Sequence, residues 1–319
     1  MIRPVTNRTD FFMRIAVMAA GAVGGYFGAR MAAAGHDVFF IARGAHRDAI
    51  RANGLLVESP LGDLHLKDVH VTDDPHTVGP VDFVLFAVKL WDTETAAEQM
   101  RPMVGPETRI VTLQNGVDSV ERIAPILGDD KVVGGSTYIV TTIAEPGVIR
   151  HSGPGARIVC GRLDGRDDQT LNRYAAAFKA AGIDFTVTAT MKTDMWKKFV
   201  LLSGTSGVTA STRCTIGEIL ADADMKALFH KLMSEAVAVG RASGVDLPAD
   251  FADEQMKIAQ GFPVSMRASM ANDLNNGNRL ELDWLAGKVV ALGHQLGVPV
   301  PASEVIYAVL KSHRLGRKP

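Results

Sequence analysis

The chain has 319 residues, 47% of them hydrophobic, with a formal net charge of −1 and only two cysteines. That length can bury one large core or two ordinary ones, and two domains are the expectation. Balanced charge without basic runs argues against a nucleic-acid surface or a polybasic membrane patch; Cys160 and Cys214 are too few for a disulfide framework or a cysteine zinc site, in keeping with a reducing cytoplasm.

The first patterned stretch, FFMRIAVMAAGAVGGYFGARMAAAG at 11–35, is apolar and follows Arg3 and Arg8, as a signal sequence would. Arg14 and Arg30 interrupt it, however, leaving less than the roughly twenty apolar residues that a spanning helix needs. It divides more naturally into a short buried strand at 14–18, a glycine turn, a helix at 23–34 closed by Gly35, and a second strand at 36–42. Strand, turn, helix and strand in about thirty residues make a βαβ unit. The turn reads Ala19-Ala20-Gly21-Ala22-Val23-Gly24, the dinucleotide fingerprint with Ala19 in place of its first glycine. Gly21 would let the backbone approach a pyrophosphate, Gly24 would let the helix pack on the strand, and the helix N-terminus would offer free N–H groups to phosphate. The alternative is a structural turn that binds nothing.

Where NAD-binding versions carry a carboxylate after the second strand, this chain has Ile41-Ala42-Arg43-Gly44-Ala45-His46-Arg47. Arg43, with Arg47 nearby, could grip a 2′-phosphate through charge-assisted bonds, so NADP is favoured over NAD unless these arginines are simply solvated. Residues 81–88 (VDFVLFAV) and 109–113 (RIVTL) lack polar alternation, as parallel strands covered on both faces do. They lead to Lys89 and to Gln114-Asn115-Gly116, which places Lys89 and Asn115 at the carboxyl edge where such sheets bind ligands. Asn115 could orient a carboxamide or a carbonyl, or merely form an Asn-Gly turn.

After Val132 come three short β-like pieces (132–143, 147–153 and 156–161), a helix at 169–181 and a strand at 184–188. From Met191 the pattern turns helical, at 195–210, 216–243, 249–261 and 280–297, without repeats or a low-complexity linker. The reading is an α/β chain: a Rossmann-like dinucleotide-binding domain over 13–190, then an all-helical domain over 191–319 that carries substrate and catalysis.

GAVGGYFGARMAAAGHDV, the AVK ending at Lys89, QNGVDSVE, WKKF before TSGVTA, SMANDLNNGNRLELD and GVPVPA together resemble the ketopantoate reductase (2-dehydropantoate 2-reductase) family. The resemblance runs from Met13 almost to the end and leaves 1–12 as an upstream start or an arm. It implies NADPH-dependent reduction of a small 2-oxo acid, ketopantoate to pantoate in pantothenate biosynthesis, by a cytoplasmic enzyme. It also implies that Lys198 donates the proton, that Glu281 holds the ligands and that Ser269 contacts substrate. Lys197 is the rival to Lys198, adjacent but about 100° around the helix. Glu281 could instead be a solvated carboxylate at a helix start. Two asparagines with which the family contacts substrate are here Leu202 and Ser206, at i+4 and i+8 from Lys198 and so on its face. That departure leaves open another 2-oxo or 2-hydroxy acid on the same fold, or a non-catalytic NADPH sensor. The partner expected is a small molecule, with neither nucleic acid, membrane nor metal, and with room for a homodimer.

Overall fold

In the computed structural model residues 12–317 are described; of the segment 1–12 that the resemblance leaves aside, all but Phe12 lies outside them. The chain divides into two units, one running to Gln114 and resuming over Asp118–Met191, the other taking Asn115–Val117 and the chain from Lys192.

The first unit is built from β1 (Arg14–Met18), α1 (Ala22–Ala33), β2 (Asp37–Ile41), α2 (Gly44–Asn53), β3 (Leu55–Glu58), β4 (Leu64–Leu66), β5 (His70–Thr72) and β6 (Val81–Phe86). It continues with α3 (Thr93–Gln99), β7 (Val104–Thr112), α4 (Ser119–Leu127), β8 (Val132–Glu145), β9 (Val148–Gly161), α5 (Gln169–Ala180) and β10 (Asp184–Val187). The sheet order is β4-β3-β9-β8-β7-β6-β1-β2-β5, with β10 also on β9. Strands β5-β2-β1-β6-β7-β8 are parallel. From β1 the chain moves one way to β2 and later the other way to β6, so the order reverses between β1 and β6, and the ligand crevice of such a sheet lies at their carboxyl ends. The absence of polar alternation in β6 has a direct cause: Phe83 and Leu85 join the core that holds Tyr26 and Phe27, while Val84 and Phe86 join the opposite core with Met100.

The three β-like pieces after Val132 are in fact two 14-residue strands paired antiparallel. The Gly-Pro-Gly run at 153–155, which reads as a break, is looped out of one continuous strand where the register slips opposite Tyr138–Val140.

The second unit holds α6 (Met191–Thr212), α7 (Ile216–Ala221), α8 (Ala223–Ala242), α9 (Phe251–Gln260), α10 (Ser269–Asn276), α11 (Ala286–Leu296) and α12 (Pro301–Leu310). Residues 216–243 form two helices because the Asp222 carboxylate accepts from the Met225 N–H at 2.8 Å and caps a new start. The 280–297 stretch begins as a 3₁₀ turn, Leu282–Trp284, before α11. Glu235, 3% exposed on α8, accepts from the N–H groups of Ala302 and Ser303 and from the Ser303 hydroxyl at 2.7–2.9 Å, holding the start of α12. Among the described residues no helix is long and apolar enough to cross a membrane.

Candidate active site

In the first unit the turn after β1 has the shape its glycine pattern demands, although one glycine is missing. Ala19 sits at φ +67°, the left-handed region that glycine enters freely and that costs an L-residue about 1–2 kcal/mol. Ala20 donates to the Ile41 carbonyl at 2.7 Å, and Ala87 donates to that of Met18 at 2.9 Å, so neighbouring strands hold both ends of the strained residue. Gly21 is the N-cap of α1, and it has no side chain with which to cap the helix. A Cβ at Gly21 would meet nothing within 4 Å, whereas at Gly24 it would stand 2.8 Å from the Ala19 carbonyl and from Val17, and at Gly28 2.5 Å from Val17. The helix therefore packs hard on β1 while its first turn, Ala22, Val23 and Gly24, directs uncapped N–H groups from an open face. A pyrophosphate fits such a cradle.

Arg43 is the N-cap of α2; it is exposed and donates to the Gln99 amide oxygen at 2.8 Å. Arg47 is engaged by Asp48 and Asp73. A carboxylate thus does reach the end of β2, but from the residue after β5, which pairs with β2 and is distant in sequence. Among the described residues Arg43 is the cation of this pair that no carboxylate holds. Lys89 follows β6, its amine 5.7 Å from the centre of the Trp91 ring. Next to it Gln114, 6% exposed, donates to the Val88 carbonyl at 3.0 Å and to the Thr93 hydroxyl at 2.8 Å, tying the ends of β6 and β7 together. Sequence patterning singled out Asn115 and missed this neighbour. Asn115 itself is half-buried.

In the second unit α6 presents two faces. One is core: Trp196, Phe199 and Val200 are buried, and a Cβ at Gly204 would stand 2.6 Å from Met233. Lys197 is exposed, whereas Lys198 is half-buried on the other face. Burial pulls the Lys198 ammonium down to a pKa of about 8, and the nearby Glu281 carboxylate opposes that pull. Glu281 is 7% exposed, which answers the alternative of a solvated helix-start carboxylate. A buried acid beside a half-buried amine keeps the amine charged near neutrality yet able to release its proton, as a general acid requires.

Farther along that face Leu202 packs on the helical core, and Ser206 is fully buried with its hydroxyl unpartnered among the described residues. Ser203 donates to the Val200 carbonyl at 3.2 Å and is committed there. Ser269 is the exposed first residue of α10. The preceding residue, Ala268, donates to the Thr209 hydroxyl at 3.4 Å. Thr209 lies eleven residues beyond Lys198, about 16 Å along the axis at 1.5 Å per residue. Lys198 and Glu281 are brought together, and Ser269 stands by the far end of the same helix.

His230 unites Ser234 and Asp253 in a Ser-His-Asp array, at 3.3 and 2.7 Å. The Ser234 hydroxyl, however, donates back to the carbonyl of His230 at 2.9 Å, and the array is a surface cap without the elements of a nucleophile. No cluster of three or more His, Cys, Asp or Glu suited to a metal occurs among the described residues.

Residues 15–165 match the family described as ketopantoate reductase PanE/ApbA, and residues 190–314 match its C-terminal counterpart. A 2-dehydropantoate 2-reductase of Mesorhizobium japonicum is 31% identical over 94% of this chain and 97% of its own. The crystal structure of a PanE/ApbA family ketopantoate reductase from Ralstonia eutropha is 36% identical and superposes with a TM-score of 0.87 over 95% of this chain and 98% of that one. D-mandelate dehydrogenase, solved with NADH and anilino(oxo)acetate, is 16% identical with the same TM-score of 0.87 over 95% of this chain and 98% of that one, a likeness of fold alone.

Proposed function

The chain belongs to the ketopantoate reductase family, an oxidoreductase family, and from that premise we propose that it reduces ketopantoate, or a close 2-oxo acid, with NADPH. The observation that carries the reading is the Lys198–Glu281 pair: an amine drawn down to about pKa 8 by burial and kept charged by an adjacent buried carboxylate.

The division of labour follows the two units. The segment 13–190 holds the dinucleotide, with Ala19, Ala20, Gly21, Ala22, Val23 and Gly24 around the pyrophosphate, Arg43 at the 2′-phosphate and Lys89 at the carboxyl edge of the sheet. NADPH, when bound, supplies the hydride. Residues 191–319 hold the substrate: Lys198 polarises the ketone oxygen and gives its proton to the alkoxide, Glu281 maintains the charge on Lys198 and orients the ligands, and Ser269 contacts the substrate carboxylate. Asn115 orients ligand through an amide that both donates and accepts. Arg43, unopposed by a carboxylate among the described residues, supports NADPH over NADH.

Leu202 supports one variation, a more apolar pocket accepting a branched 2-oxo acid that lacks the ketopantoate hydroxyl. The test is turnover: NADPH absorbance followed with ketopantoate and with hydroxyl-less branched 2-oxo acids. Reduction of one of these is expected, and NADPH binding without turnover of any would select a sensor instead.

A further inference from the structure

The strained Ala19 turn has a restraint that comes from neither β1 nor α1. His46, on α2, places its Nε2 3.0 Å from the Ala20 carbonyl, and its Nδ1 receives the N–H of Gly147 at 3.0 Å. A carbonyl can only accept and an amide N–H can only donate, so the ring is neutral with its proton on Nε2. Its surroundings favour that form: burial lowers the pKa of the ring, against a smaller opposing effect of the bond to Ala20. Gly147 is itself fixed, at φ +84° in the turn from β8 to β9, with its carbonyl accepting from Leu56 at 3.0 Å.

The Ala20 carbonyl is close to the first turn of α1, 3.4 Å from where a Cβ on Gly25 would lie. A bond to that carbonyl therefore sets the pitch of the peptide between the left-handed Ala19 and the helix N-terminus. Had glycine stood at 19, the turn would hold this shape unaided; with alanine it needs restraint from outside. His46 lies three residues beyond Arg43, so one helix carries both the 2′-phosphate arginine and the clamp on the pyrophosphate turn.

We infer that His46 is a positioning residue for dinucleotide binding, holding the Ala19–Gly21 turn through the Ala20 carbonyl so that the N-terminus of α1 faces the phosphates. The inference rests on the proposed NADPH site and extends it to a residue outside the glycine fingerprint.

Two conservative variants separate the clamp from a mere anchor of α2. His46→Asn keeps an acceptor near Nδ1 for Gly147 and loses the bond to Ala20; His46→Gln keeps a donor near Nε2 for Ala20 and loses the bond to Gly147. With calorimetric binding of NADPH to the full chain, the clamp predicts about a tenfold weaker Kd for His46→Asn and a Kd within about threefold of the parent for His46→Gln. Adding Ala19→Gly to His46→Asn should recover most of the loss, because glycine keeps the turn without the clamp. The Michaelis constant for the 2-oxo acid should stay unchanged. Thermal melting of each variant verifies that the folded protein is being compared. Equal affinities for the Asn and Gln variants, the reverse ranking, or no recovery with Ala19→Gly would overturn the inference. If the parent chain bound no NADPH, the proposed function itself would fail, which is a different result.

Discussion

The Lys198–Glu281 pair makes a prediction about pH whose sign is fixed. In the proposed mechanism Lys198 gives up a proton, so the form that reduces substrate is the charged one, and activity is present below its pKa and lost above it. With that pKa at about 8, about nine-tenths of the amines are charged at pH 7 and about one-tenth at pH 9, so kcat/KM for reduction should fall about tenfold per unit above pH 8. Glu281 works against the desolvation that pulls the amine down. Glu281→Gln keeps the shape and removes the charge, leaving burial unopposed, and the alkaline limb should move to lower pH. The variant would then lose more activity at pH 8 than at pH 6. The assay is the initial rate of NADPH absorbance loss at limiting 2-oxo acid across that range, because kcat/KM reports the free protein in which the pair is described. Lys198→Ala should remove the limb altogether and lower turnover by about 10² or more while NADPH still binds, and Lys197→Ala, on the exposed side of the helix, should do far less. A limb that stayed in place or moved to higher pH in Glu281→Gln would refute the electrostatic role, and a dead Lys197 variant with an active Lys198 variant would refute the choice of lysine.

Arg43→Ala should shrink a preference for NADPH over NADH that is at least tenfold, about 1.4 kcal/mol, in the parent chain; equal calorimetric affinities of the unaltered protein for both dinucleotides would contradict the assignment. Leu202→Asn should shift the ratio of kcat/KM toward ketopantoate and away from its hydroxyl-less analogue by about 1–3 kcal/mol, and a strong native preference for ketopantoate that the change failed to increase would rule out an apolar subsite there. Ser206→Ala removes a buried hydroxyl with no partner among the described residues, so chemical denaturation should find it neutral or stabilising by about 1 kcal/mol; a marked loss of stability would mean that the hydroxyl is paired in the folded protein. Glu235→Ala uncovers two N–H groups and a hydroxyl at the start of α12 and should cost about 2–4 kcal/mol by urea melting, with a loss below about 1 kcal/mol showing that water caps the helix as well.

The parts of the fold written in local chemistry could be read before any coordinates. The β1–α1–β2 unit, the parallel strands covered on both faces and the helical second half follow from periodicity and from glycines whose side-chain space is already filled, as at Gly24 and Gly28. The long β8–β9 pair escaped because a Gly-Pro-Gly run signals a break whether the chain turns or only bulges. Within the site, the family resemblance pointed to Lys198, but only packing distinguishes it from Lys197, since one faces solvent and the other does not. Burial likewise separates Glu281 from the solvated carboxylate its position suggested. Asp73 at the end of β2, Gln114 across β6 and β7, and His46 over the glycine turn carry no local signal; each acts on residues brought to it from 21 to 101 positions away.

Stoichiometric turnover by the unaltered full chain decides whether the protein is a 2-oxo acid reductase: NADPH loss and hydroxy-acid product are quantified together, with ketopantoate and a hydroxyl-less branched 2-oxo acid offered in parallel. One hydroxy acid should form per NADPH consumed with at least one of the two, and NADPH should be used faster than NADH. Tight NADPH binding with no product from either acid would contradict that reading.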